Sequence, residues 1–157
     1  MDSTLQIGRC GELLVQYRLL KYGIESAPMT TDVGVDLVAY APKCKQAVTI
    51  QVKTVRREKP AGGKGKALLD WWIRDDSPAE LVAFVDLHSE SIWMFRHEEV
   101  RASRLAKDRP ITGPLHFGFY IDPDYVPRSK SYHMSMFENF RMECRIEELF
   151  GEPQDSN

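Results

Sequence analysis

Gln51 and Lys53 stand two residues apart in the run Ala47-Val-Thr-Ile-Gln-Val-Lys-Thr54, and Asp36 lies upstream within Gly34-Val-Asp-Leu-Val-Ala-Tyr40. Side chains on a strand alternate between its faces. Gln51 and Lys53 therefore share one face, while Val48, Ile50 and Val52 share the other. A lysine beside a metal-capable oxygen, next to a strand carrying an aspartate, suits metal-assisted phosphodiester hydrolysis. That reaction needs an activated water, neutralised charge at the phosphate and relief of charge on the leaving oxygen. Magnesium held by Asp36, the Gln51 amide oxygen and a nearby backbone carbonyl would polarise the phosphate and lower the pKa of bound water. Lys53 could orient that water or stabilise the developing charge, and both roles stay open at this point.

These residues need a scaffold. Gly8 to Tyr22 reads as an amphipathic helix, with Leu14, Val15, Arg18, Leu19 and Tyr22 at helical spacing and Gly23 as the stop. On it Glu12 shares a face with Gly8, Val15, Gln16 and Leu19, so it is expected to point toward a sheet. Gly8 and Gly11 would let that helix approach closely. Strands are expected at Val33 to Tyr40 and Gln46 to Val55, joined as a hairpin by a turn at 41–45. Arg56 to Lys66, with Pro60, Gly62, Gly63 and Gly65, is the most loop-like segment. Leu81 to Leu87 is a near-continuous apolar run, as in a strand buried on both faces. Ile92 to Arg96 reads as its partner, His97 to Leu105 as a short helix, His116 to Ile121 as a strand and Ser135 to Phe150 as a helix. Residues 151–157 read as a frayed tail.

The order helix, strand with Asp36, strand with Gln51-Val-Lys53, then further strands and a helix resembles the PD-(D/E)XK nuclease superfamily. Its Gln-x-Lys variants among small homing endonucleases, and the archaeal Holliday-junction resolvases, are the most similar groups. The resemblance spans Gly8 to Leu105 and rests on a handful of residues. It implies an α/β, restriction-endonuclease-like core with a central mixed sheet flanked by helices. It also implies a magnesium site (manganese as an alternative) formed by Glu12, Asp36 and Gln51, with Lys53 as catalytic lysine. Two departures stand out. Val35 precedes Asp36 where proline is usual, and Gln51 replaces the usual acid. A neutral amide brings no charge, so metal affinity should fall.

Bulk properties fit this reading. The 157 residues suit one domain over 1–150, and the 43% hydrophobic and 28% charged content is ordinary for a globular chain. No apolar run spans a membrane, and no signal-peptide pattern opens the chain, so no membrane partner is expected. Cys10, Cys44 and Cys144 have neither disulfide nor zinc spacing, which points to a reducing cytoplasm. Net charge is −2, yet Lys53, Arg56, Arg57, Lys59, Lys64 and Lys66 cluster against the single acid Glu58. Of these, Arg56, Arg57, Lys59, Lys64 and Lys66 are the candidate contacts to a DNA backbone.

Other features carry less. His88, His97, His116 and His133 lack metal-ligand spacing and read as surface or packing residues. Trp71 and Trp72 could stack on bases, although adjacent aromatics usually divide between core and surface. Gly62-Gly-Lys-Gly65 lacks the phosphate-loop pattern, which excludes nucleotide hydrolysis. The expected function is metal-dependent cleavage of double-stranded or branched DNA, with a two-fold homodimer supplying two sites. Two rivals stand beside it. One is a nucleic-acid-binding module that lost its metal. The other is an interaction subunit using surfaces at Trp93 to Phe95 and Phe137 to Phe140. For the homodimer, the C-terminal helix Ser135 to Phe150 is a candidate interface but could equally cover its own sheet.

Overall fold

Ser3 starts the first helix: its hydroxyl accepts from Gln6 N, and the Gln6 side chain accepts from Ser3 N. This reciprocal cap sets the start of α1 at Thr4, four residues ahead of the apolar pattern, and α1 runs Thr4–Lys21. The computed structural model describes residues 3–31, 33–41, 46–61, 66–105, 114–125 and 131–151. The expected tail at 152–157, Lys64 and the Gly62–Gly65 run lie outside the described residues.

Eight strands follow: β1 (Glu25–Pro28), β2 (Leu37–Ala41), β3 (Gln46–Val55), β4 (Lys59–Pro60), β5 (Ala67–Ile73), β6 (Leu81–Asp86), β7 (Ser91–Arg96) and β8 (Leu115–Tyr120). Helix α2 (His97–Leu105) precedes β8, and α3 (Met142–Phe150) closes the described chain. A five-stranded mixed sheet has the order β1-β2-β3-β6-β7, in which only β3 and β6 run parallel. Parallel neighbours need a long crossover. Here the crossover carries β4 and β5, which join β8 in a separate three-stranded sheet.

Each face of the large sheet has its own core. Ile50, Val52, Ala83, Val85 and Met94 pack beneath α1 and α3, against Val15, Leu19, Met142, Ile146 and Phe150. Val82, Phe84, Trp93 and Phe95 pack against Leu69, Trp71, Phe117, Phe119 and Phe137. The second core is largely aromatic. Phe84 stacks on Phe117 at 5.0 Å and 7°, and on Trp71 at 5.0 Å. Each such pair adds about 0.5–1.5 kcal/mol beyond burial. All six residues of β6 are buried, as a strand sandwiched between two cores requires.

Several expectations need correction. The strand expected from Val33 begins only at Leu37, because Gly34 takes a left-handed φ of 83° and packs on Pro78. The helix expected over Ser135 to Phe150 is broken. Met134–Phe140 is a 3-10 helix, and Arg141 (ψ 141°) is extended before α3 starts. This kink sends Phe137 to the aromatic core while Ile146 and Phe150 face the other one. The element covers its own sheet through Phe137, Met142, Ile146 and Phe150. Trp93 and Phe95 are likewise interior, so the aromatic surfaces invoked for an interaction subunit are core. Strand β4 lies inside the expected loop, and β1 and β5 were not expected at all. No helix among the described residues is long and apolar enough to cross a membrane.

Candidate active site

The candidate site lies where the hairpin of β2 and β3 splays. Leu37 pairs with Ile50, and continuing that register places Asp36 opposite Gln51. At this point β2 is still approaching as irregular chain, and Val52 N of β3 is met by a side chain rather than by backbone. That side chain is Asp36: its Oδ2 accepts from Val52 N at 2.7 Å, while Asp36 N donates to Ile50 O at 2.9 Å. The acid is thus held against β3 by its own side chain. A charged acceptor of this kind contributes about 1.5–3 kcal/mol.

Gln51 is only 4% exposed. Ser77 Oγ lies 2.9 Å from Gln51 Oε1 and 3.3 Å from Gly34 O, so its single proton serves the shorter contact. The turn bearing Ser77 is gripped from behind. Arg101 of α2 donates to the Asp75 carboxylate and carbonyl at 2.7 and 2.8 Å, and His97 Nε2 reaches Arg74 O at 3.0 Å. Beside it, the Arg74 guanidinium hydrogen-bonds Asp76 and holds that carboxyl below its usual range. Sequence reading saw this stretch only as a turn, and Ser77 carried no signal of its role.

Lys53 follows Gln51 on the same strand face, half-buried, and its ammonium makes no hydrogen bond or ion pair with another described residue. Glu12 sits on α1 one residue after Gly11, where the helix meets β3. A Cβ on Gly11 would lie 1.9 Å from Thr54 Oγ1, so α1 rests directly on the strand there. Gly8, expected to share this role, has open space around its Cα. The Glu12 carboxylate pairs with Arg9 at 2.7 Å. Asp36 and Gln51 are therefore brought together, Lys53 joins their face, and Glu12 is engaged elsewhere.

Among the described residues, no three His, Cys, Asp or Glu side chains lie close enough to form a metal cluster. The local donors are hard oxygens, one anionic (Asp36) and one neutral (Gln51). That set fits magnesium, which is commonly held by one or two carboxylates with substrate phosphate and water completing its shell.

Of the basic residues, Arg56, Arg57 and Lys59 are exposed where β3 leaves the sheet. Lys59 Nζ pairs with Asp70 Oδ2 at 2.7 Å, and Lys66 lies over the Tyr125 ring at 4.9 Å.

No protein-family model matches the sequence, and no curated protein matches it. Among solved structures, the chain is similar to a bacterial homing endonuclease, I-Ssp6803I, at a TM-score of 0.61 and 16% identity. The alignment covers 93% of this chain and 91% of that one. The fold is thus an endonuclease-like mixed α/β fold with a central five-stranded sheet flanked by helices, as the order of elements led us to expect.

Proposed function

We propose that this chain is a metal-dependent endonuclease of the Gln-x-Lys type within the PD-(D/E)XK superfamily, hydrolysing DNA phosphodiester bonds. The observation that carries this reading is Asp36 pinned to Val52 N beside Gln51 and Lys53, at the open end of a hairpin in an endonuclease-like fold. Bound magnesium or manganese would supply Lewis-acid polarisation of the phosphate and a more acidic water. Asp36 and Gln51 present the oxygens for it. Glu12 joins them on exchanging its Arg9 partner. Ser77 keeps the Gln51 amide oxygen aimed, leaving its second lone pair for the ion. The Lys53 ammonium, on the same face, opposes negative charge growing on the phosphate or holds the attacking water.

Arg56, Arg57, Lys59 and Lys66, with Lys64, would track the DNA backbone next to the cut. Cutting both strands at one locus calls for two active sites, which a two-fold homodimer provides. Incubating supercoiled plasmid and branched DNA with magnesium or manganese tests the reading. Metal-dependent nicking or linearisation supports it. Folded protein that binds DNA without cutting any substrate would instead favour a binding module that lost its metal.

A further inference from the structure

The geometry points to a second nucleic-acid contact, on the outer face of the small sheet, where Trp72 stacks on an unpaired DNA base. It extends the DNA reading above and rests on it. Alternation along β5 sends Leu69, Trp71 and Ile73 into the aromatic core and Asp70 and Trp72 outward. Outward positions on a sheet covered on one side are ordinarily polar. Trp72 is instead 57% exposed, whereas Trp71 and Trp93 are buried.

The exposed ring is preorganised. His116, opposite Trp72 on β8, stacks against it at 4.3 Å and 23°, and more than half of the tryptophan stays exposed. His116 Nε2 bonds Asp70 Oδ2 at 2.6 Å, and Lys59 reaches the same oxygen at 2.7 Å. Gly118, paired with Asp70, has no room for a side chain: a Cβ there would meet Asp70 Cβ and Leu69 O at 2.8 Å. Lys59, Asp70, His116 and Trp72 thus form one locked row across three strands.

The surroundings favour a nucleic acid as the occupant. Exposed Arg56 and Arg57 lead into β4, Lys59 sits at its edge, and Lys66 lies over Tyr125, itself 4.3 Å from Tyr120. Exposed aromatic rings beside cations match bases strung on a polyanion. The platform lies on the side of the small sheet turned away from the candidate site. The small sheet packs over the face of the large sheet that carries Gln51 and Lys53, and Trp71 Nε1 donates to Val85 O there.

Trp72 provides its own reporter, because the other two tryptophans are shielded. The experiment titrates wild type, Trp72→Phe and Trp72→Ala with labelled single-stranded, forked and duplex oligonucleotides without divalent metal. Protein fluorescence and label anisotropy are read together. Single-stranded and forked DNA should quench wild-type emission, and Trp72→Phe should bind them nearly as well with the quench lost. Trp72→Ala should bind these substrates about 5- to 150-fold more weakly, the range expected for losing one stacked base, with duplex binding little changed. Anisotropy showing DNA bound while Trp72 emission and Trp72→Ala affinity stay unaltered would overturn the platform and leave the nuclease reading standing. No anisotropy change with any DNA would remove both. Emission that shifts with protein concentration alone would replace DNA by a second copy of the chain as the occupant.

Discussion

Gly11→Ala tests how α1 is seated on the catalytic strand. In an exposed helix the change would gain about 1 kcal/mol from better helix propensity. Here the new methyl would lie 1.9 Å from Thr54 Oγ1 and 2.9 Å from Thr54 Cβ. Rotating the threonine side chain cannot clear the second contact, because Cβ does not move with it. Overpacking of this kind costs about 1–3 kcal/mol, so the net expectation is a loss of up to about 2 kcal/mol. For a chain of this size that lowers the melting temperature by up to about 8 °C. Thr54→Ala removes both Oγ1, which is buried without a hydrogen-bond partner, and the methyl beside it. The double variant loses the two closest contacts but keeps the one to Cβ, so it should recover part of the loss, giving a favourable coupling of about 1 kcal/mol in urea or thermal unfolding. A Gly11→Ala protein more stable than wild type would refute the close seating of α1 on β3.

Asp36→Ala should destabilise the fold by about 1.5–3 kcal/mol in urea titration, since Val52 N loses a charged acceptor, whereas Asp36→Asn keeps an oxygen there and should lose less. Ser77→Ala should raise the metal concentration needed for half-maximal cleavage by about 10- to 100-fold, with DNA affinity measured by anisotropy unchanged. Gln51→Glu buries a carboxylate at a position only 4% exposed. It should lower thermal stability without metal and show a larger stabilisation by manganese than wild type, and tighter metal binding with no cleavage would favour the binding-module rival. Arg56→Glu with Arg57→Glu should weaken DNA binding and make the salt-dependence slope shallower by about two units, and an unchanged slope would remove these arginines from the interface.

The parts of the fold legible in the sequence are those whose periodicity is set by burial. β3 matches its expected bounds because apolar and polar residues alternate from Val48 to Lys53, and β6 ends one residue short of its expected bound, apolar except for Asp86. Helix α2 likewise spans the expected His97–Leu105. β1 escaped because its residues are mostly exposed, and β5 because it follows a glycine-rich, basic stretch that reads as loop. The break at Arg141 left no proline or glycine as a signal. For the site, the local pair Gln51 and Lys53 shares a face by strand alternation alone, and hairpin pairing brings Asp36 to Gln51. Ser77 was invisible, because its contact with Gln51 bridges 26 residues of crossover that no local pattern encodes. Trp71 and Trp72 divided between core and surface as strand alternation requires, which only β5 could reveal.

The most direct test of the central claim is single-turnover cleavage by wild type, Asp36→Asn and Lys53→Ala at saturating DNA and metal, with DNA affinity measured alongside. The account predicts metal-dependent cutting by wild type. It predicts rates about 10²- to 10³-fold lower in Lys53→Ala, comparable or greater losses in Asp36→Asn, and DNA affinity retained in both. Full-rate cleavage by either variant would contradict the assignment of this site.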